Sequence, residues 1–287
     1  MGQKIFLSGA LVDESEAKVS VFDHGYLYGD GVFEGIRSYG GKVFRFDDHL
    51  ERLFASARAI SLEIPMTAEE LKKATYETME ANGVSDGYIR MVVSRGAGDL
   101  GLDPRKCTGN ATVVIIAASI QLYPEELYRN GLEIVTGATV QSHPEALNPG
   151  IKSCNYLNNI LAKIEGINAG VQEVLMLNHL GYVAECTGDN IFAVTDGAVM
   201  TPPPEAGILR GITRDVVMSI CAGDGIECVE RNLTRLDLYA ADEVFLTGTA
   251  AEIIAVVKID GRTIGGGKPG PVTNRLLEEF RKKTKEG

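Results

Sequence analysis

The chain has 287 residues, 45% of them apolar, and carries 39 acidic against 28 basic side chains for a net charge of −11. That length allows a sizeable core and two domains, and so acidic a surface argues against nucleic acid or an anionic lipid surface as partner. The opening stretch MGQKIFLSGALVDESEAK has only a short apolar run before Asp13, Glu14 and Glu16, unlike a secretory signal. The longest uncharged apolar run, around residues 111–120, falls far short of a membrane span. A cytoplasmic protein is therefore expected. Five cysteines without CxxC spacing predict free thiols, and four scattered histidines predict no metal site.

In chain order, KIFLSGALV and GKVFRF read as strands, with a glycine-rich stretch between them, GYLYGDGVFEGIRSYGG (25–41). A helix follows from Asp47 as N-cap to about Ile60, and a second from about Thr67 to Asn82. GYIRMVVS and ATVVIIAA supply two further strands, and IQLYPEELYRNG (120–131) reads as an irregular connection. Beyond it, LEIVTGATV, EVLMLN, GYVAEC, NIFAV, EVFLTGT and IIAVVKIDG alternate with helices beginning near Tyr156 and Thr213. Many short strands with few helices predict a barrel-like β core, not a doubly wound parallel sheet. A last helix runs from Pro271 to about Lys283, where Arg281, Lys282, Lys283 and Lys285 suit the negative end of its dipole.

Several segments carry potential chemistry. The glycine stretch lacks GK[ST] and misses GxGxxG by one residue, so it is not a nucleotide loop. A glycine-rich turn presenting Tyr28, Phe33 and Arg37 suits either a plain connection or the wall of a pocket. Lys152 precedes a helix whose Leu157, Ile160, Leu161, Ile164 and Ile167 fall on one apolar face. A lysine is ordinarily a solvated arm, but an amine held among apolar groups becomes a nucleophile for carbonyls. Glu185 in GYVAECTGDNIFAV is either a solvated strand-edge acid or a buried carboxylate needing a cation. GILRGITRDVV places Gly211, Ile212 and Thr213 at a helix start suited to an anion. EVFLTGTAAEI ends a strand in Thr247, Gly248, Thr249 and Ala250, and Arg52 shares its helix stripe with Ala55, Ser56 and Ala59.

Taken together, VFDHGYLYGDGVFEGIRSY, HLERLFASA, YIRMVVSRGAGDLGLDPRKC, KSCNYLNNILAK, AECTGDNIFAV, ILRGITRDVV and FLTGTAAEI, in this order, resemble the fold-type IV aminotransferases that use pyridoxal phosphate, most closely the branched-chain amino acid aminotransferases. The resemblance implies an α+β fold with a small domain over residues 1–119, a connection over 120–131 and a larger pseudo-barrel domain over 132–287. It implies that Lys152 binds the cofactor covalently and shuttles the α-proton, that Glu185 pairs with the pyridine nitrogen, and that Tyr156 meets the 3-hydroxyl. Arg52, Ile212, Thr213 and Thr249 would hold the phosphate, and Leu209 would pack on the ring. Tyr28, Phe33, Gly35, Arg37, Tyr88 and Arg90 would line the substrate pocket, with the backbone of Thr249 and Ala250 at the α-carboxylate. The implied substrates are leucine, isoleucine or valine with 2-oxoglutarate. D-amino acid aminotransferases and aminodeoxychorismate lyases of the same fold are the alternatives, and a non-catalytic α/β binding protein is a third. The family also implies a homo-oligomer, at least a dimer, with the loop SRGAGDLGLDP (94–104) reaching towards a neighbouring subunit.

Overall fold

In the computed structural model, residues 2–119 and 123–286 are described, and they divide into two units that are not simple halves of the chain. Residues 2–119 join with Ile151–Asn155 in one unit, and residues 123–150 with 156–286 in the other.

Alternating apolar residues build the first unit. Its elements are β1 (Lys4–Leu7), β2 (Ala10–Asp13), α1 (His24–Tyr28), β3 (Gly31–Tyr39), β4 (Lys42–Val43), α2 (Phe46–Ala59), α3 (Ala68–Ala81), β5 (Gly87–Ser94) and β6 (Thr112–Ala118). The strands form one antiparallel sheet in the order β2-β1-β6-β5-β3-β4. The pleat sends Val32 and Ile36 of β3, Ile89, Met91 and Val93 of β5, and Val113, Ile115 and Ala117 of β6 into one core with Leu50, Leu53, Ala57, Leu71 and Ala74 of the two long helices. Each large aliphatic side chain buried there contributes about 1.5–3 kcal/mol. A capping box between Thr67 and Glu70 opens α3, and Asp47 and Asp48 lie in the first turn of α2.

The glycine stretch departs from the expected turn. It forms the short helix α1, reverses at Gly29 (φ 72°), and then runs as the nine-residue strand β3. Val32, Glu34, Ile36 and Ser38 alternate on one buried face, and that period overrides the glycine content. Gly31 permits close packing, since a Cβ there would lie 2.9 Å from the Val93 carbonyl oxygen. The strand expected over GKVFRF shrinks to Lys42–Val43, because Phe46 already opens α2.

The second unit holds α4 (Glu125–Asn130), β7 (Leu132–Thr136), α5 (Leu157–Ala169), β8 (Glu173–Leu177), β9 (Val183–Cys186), β10 (Asn190–Thr195), β11 (Ala198–Thr201), α6 (Ile212–Asp224), β12 (Cys228–Glu230), α7 (Arg235–Tyr239), β13 (Glu243–Gly248), β14 (Glu252–Ile259), β15 (Arg262–Thr263) and α8 (Pro271–Glu286). Its nine-stranded sheet runs β12-β11-β10-β13-β14-β7-β8-β9, with β15 on β14. At the end of that path, the N–H of Cys186 in β9 donates to the carbonyl of Asp189, the residue before β10, at 2.8 Å. The sheet therefore curls back on itself, in keeping with the strand-rich sequence. Of the connection expected over 120–131, residues 120–122 lie outside the described residues, and Glu125–Asn130 is helical.

Helix α5 packs through its smallest side chains. Ala162 and Gly166 are its buried positions, and a Cβ at Gly166 would crowd Val174 of β8. Its apolar stripe faces away, with Leu157 and Ile167 each 66% exposed and Ile160, Leu161 and Ile164 about half exposed. Among the described residues, no helix is long and apolar enough to cross a membrane, and no cluster of side chains could hold a metal ion.

Candidate active site

In the first unit, residues 151–155 lie along the edge of β3 that β4 leaves open. Phe33 N–H donates to the Lys152 carbonyl at 3.0 Å and Cys154 N–H to the Gly31 carbonyl at 2.8 Å, while Val32 and Ser153 form an antiparallel bridge. Lys152 N–H donates to Ser56 Oγ of α2 at 3.1 Å. Both backbone groups of Lys152 are thus anchored, and its Nζ sits 4.6 Å from the centroid of the Phe33 ring.

The sheet face bearing Phe33 also carries Gly35 and Arg37 of β3, paired with Arg90 and Tyr88 of β5. Arg90 Nη2 donates to Tyr88 Oη at 3.0 Å, and its guanidinium lies 4.6 Å from the Phe33 centroid. Burial raises the Tyr88 phenol above its ordinary range, against the pull of Arg90, so the hydroxyl keeps its proton. Gly35 lets the Tyr88 hydroxyl lie against the strand, because a Cβ there would force that ring to shift. Gly35→Ala should therefore destabilise the protein by about 1–3 kcal/mol through overpacking. An unchanged melting temperature would show that Tyr88 moves aside freely. Tyr28 is engaged elsewhere: its hydroxyl donates to the Leu100 carbonyl at 2.5 Å, and its ring stands edge-on to His24.

Beneath the opposite face of β3 lies a buried triad, Glu34, His49 and Arg52, of which sequence reasoning singled out only Arg52. Arg52 of α2 grips Glu34 with Nε on Oε1 at 2.7 Å and Nη2 on Oε2 at 2.8 Å, and His49 Nδ1 lies 2.7 Å from Oε2. An acid inside the alternating run VFEGI, facing a histidine and an arginine three apart on one helix, was the available signal. Burial opposes ionisation of Glu34, but the charge and hydrogen bonds of Arg52 and His49 outweigh it and bring the carboxyl to about 2. For His49, burial dominates and lowers its affinity for a proton, with Glu34 opposing.

Both shifts penalise acid. The unfolded chain binds a proton at His49 below about pH 6.5 that the folded site refuses, and at Glu34 below about pH 4.3. Stability should thus decline as pH falls through about 6.5, and again from about 4.3 towards 2. Thermal unfolding across pH 3–8 checks this: Glu34→Gln should lose the lower step, and an identical profile in the variant would contradict it.

In the second unit, Glu185 is a buried carboxylate in β9. It accepts from Gln141 Nε2 at 3.0 Å, Asn190 Nδ2 at 3.0 Å and Leu209 N–H at 3.1 Å. Asn190 Nδ2 also reaches the Leu209 carbonyl at 2.9 Å, so one amide fixes Leu209 to Glu185. Gln141 and Asn190 were not anticipated, although Asn190 lies within the motif that carries Glu185.

Ile212 and Thr213 open α6, whose N-cap is Gly211 without a capping side chain. A Cβ at Gly211 would collide with Asn190 Oδ1, and one at Gly248 would collide with Asp189 Oδ1. A side chain just before Ile212, or just before Thr249 and Ala250, which follow β13, would thus displace the Asn190 or Asp189 side chain. Tyr156 is the N-cap of α5, and its carbonyl accepts from Ile160 N–H at 2.9 Å.

A family model for amino-transferase class IV matches residues 31–259, so the chain belongs to the class IV aminotransferases. Among individual proteins, it is 51% identical over 278 residues, 97% of this chain and 95% of the other, to a Methanocaldococcus jannaschii protein assigned provisionally to the branched-chain-amino-acid aminotransferases. The solved branched-chain aminotransferase of Thermoproteus uzoniensis, with norvaline, superimposes with a TM-score of 0.93 at 43% identity, covering 100% of this chain and 96% of that one. The branched-chain amino acid aminotransferase of Thermobaculum terrenum, solved in its PLP-bound holo form, gives 0.89 at 30% identity, covering 99% of this chain and 94% of that one.

Proposed function

We propose that this protein is a pyridoxal-phosphate-dependent aminotransferase exchanging amino groups between leucine, isoleucine or valine and 2-oxoglutarate, giving branched 2-oxo acids and L-glutamate. The observation that carries this reading is the Lys152 amine over the Phe33 ring at 4.6 Å, in a chain that aligns over 96% of its length with branched-chain aminotransferases.

The residues present fit the cofactor. A phosphate suits free N–H groups at a helix start, and α6 opens at Ile212 and Thr213 with no capping side chain. A ring N–H needs a buried carboxylate held in place, and three neutral donors fix Glu185. Bound pyridoxal phosphate supplies a carbonyl that takes up the amino group and a protonated ring that draws electrons from the substrate's α-carbon.

The chain's own residues do the rest. Lys152 Nζ removes the proton at the α-carbon and returns it in the reverse direction. When the cofactor is bound, Glu185 would retain the proton on the ring nitrogen, Tyr156 would meet the 3-hydroxyl and Leu209 would pack on the ring. Ile212, Thr213, Thr249 and Arg52 would hold the phosphate, with Glu34 keeping the Arg52 guanidinium in one orientation. Phe33 and Gly35 give an aliphatic side chain an apolar wall, while Arg37, Arg90 and Tyr88 receive the distal carboxylate of glutamate. One charge-assisted contact contributes about 1.5–3 kcal/mol, enough to admit glutamate to an apolar pocket. Thr249 and Ala250 receive the α-carboxylate through backbone N–H groups.

We read the protein as cytoplasmic, in keeping with five free thiols, and as a homo-oligomer, at least a dimer. The exposed aliphatic stripe of α5 supports the second point, because such a face is stabilised when a second copy covers it. The function is tested by assaying L-leucine with 2-oxoglutarate beside D-alanine and aminodeoxychorismate. Turnover of L-leucine is expected, and its absence would remove the reading.

A further inference from the structure

Gln141 is a buried amide whose orientation is decided by the backbone around it. Its own N–H donates to the Leu177 carbonyl of β8 at 2.9 Å, and its side-chain oxygen accepts from Ser142 N–H at 3.1 Å. A backbone N–H can only donate, so the amide oxygen faces Ser142 and the NH2 faces Glu185 Oε1, 3.0 Å away. Helix α5 braces the segment that leads to it. Glu165 accepts from Ala138 and Thr139 N–H at 2.6 and 3.0 Å, and Asn158 Nδ2 donates to the Val140 carbonyl at 3.2 Å.

The donors on Glu185 serve different ends. Asn190 Nδ2 and Leu209 N–H both reach Oε2, whereas Gln141 reaches Oε1. A carboxylate held at one oxygen can still pivot about it, and Gln141 holds the second oxygen against that motion. With Gln141 only 4% and Glu185 7% exposed, the pair is set by these bonds and not by bulk water.

We propose that Gln141 is a positioning residue that aims the Glu185 carboxylate at the ring nitrogen of pyridoxal phosphate, and so sets how strongly the site prefers a ring carrying that nitrogen. The proposal rests on Glu185 as the partner of the ring nitrogen. A neutral amide suits the task. A lysine or arginine in its place would neutralise the carboxylate and compete with the ring for it, whereas one amide N–H fixes the oxygen and leaves its charge for the protonated ring.

The test titrates the full-length protein, freed of cofactor, with pyridoxal phosphate and with 1-deazapyridoxal phosphate, in which a C–H replaces the ring nitrogen. Both carry the same phosphate, 3-hydroxyl and aldehyde, so the ratio of their dissociation constants isolates the ring-nitrogen contact. Wild type should prefer pyridoxal phosphate by about 10- to 100-fold, as for one charge-assisted hydrogen bond. Gln141→Leu should lower that ratio by about 3- to 10-fold, the size of one lost hydrogen bond, and leave affinity for the deaza analogue unchanged. Gln141→Glu keeps the acceptor for Ser142 N–H but sets a second carboxylate against Oε1. The two acids must then share a proton, and the ratio should fall towards one.

A wild-type ratio near one would remove Glu185 as the ring-nitrogen partner, and the proposal with it. A wild-type preference that persists unchanged in both variants would overturn the role of Gln141 and leave that of Glu185 standing. Equal loss of affinity for both ligands would also overturn it, since Gln141 would then serve only the fold.

Discussion

Lys152→Ala should lose transamination by about 10⁴-fold, the upper end of what a positioned proton-transfer group contributes. The backbone around the position should survive the change. The Lys152 carbonyl and N–H are held by Phe33 and Ser56, and neither bond involves the side chain. The substitution removes an amine from above the Phe33 ring and leaves the strand-edge bridge of Val32 and Ser153 in place. Folding stability should fall by only about 0.5–2 kcal/mol, the size of the lost contact between the amine and the Phe33 ring. Measured kcat and thermal unfolding separate the two effects. A collapse of both would mean that the side chain serves the fold, and an unchanged kcat would mean that another group moves the α-proton.

Glu185→Gln should reduce kcat by about 100- to 1000-fold while the protein still takes up pyridoxal phosphate through its phosphate contacts. The substitution keeps the shape and removes the charge. It also disturbs a hydrogen-bond set in which every named partner is a donor: Gln141 on Oε1, and Asn190 and Leu209 N–H on Oε2. An amide presents one acceptor oxygen and one NH2 group, so whichever way the new side chain turned, its NH2 would confront at least one of those donors. A buried unmade hydrogen bond costs about 1–3 kcal/mol, so a moderate fall in melting temperature should accompany the loss of turnover. Cofactor content by absorbance, kcat and melting temperature check the three parts. Near-normal kcat would place the ring-nitrogen partner elsewhere.

Local patterns in the sequence foretold much of this molecule. The capped start of α3 at Thr67, the β period of residues 87–94 and 111–118, and the strand-rich curled sheet all follow from short-range spacing. The glycine stretch was harder, because glycine content signals a turn while the alternation of Val32, Glu34, Ile36 and Ser38 signals a strand, and burial on a formed sheet decides between them. Helix α5 showed the reverse. Its apolar stripe was plain in the sequence, yet Gly166 and Ala162 set how closely the helix approaches β8, and the stripe was left outward.

Among the site residues, Lys152 and Glu185 stood out from their motifs, but what holds them did not. The pairing of residues 151–155 with β3 and the donation of Gln141 to Glu185 link segments far apart in sequence, and no local period encodes such contacts. Glu34 sits inside an alternating apolar run, which hides an acid whose partners lie on the next helix. The small-residue stripe around Arg52 points to an anion, and the fold supplies one in that strand carboxylate, held by Nε and Nη2 of the guanidinium.

Borohydride treatment of the holoenzyme, followed by peptide mapping, tests the assignment of the reactive amine most directly. The phosphopyridoxyl group should be fixed on Lys152, in a one-to-one ratio with lost activity. The label appearing on any other lysine, or none being fixed in fully active enzyme, would contradict it.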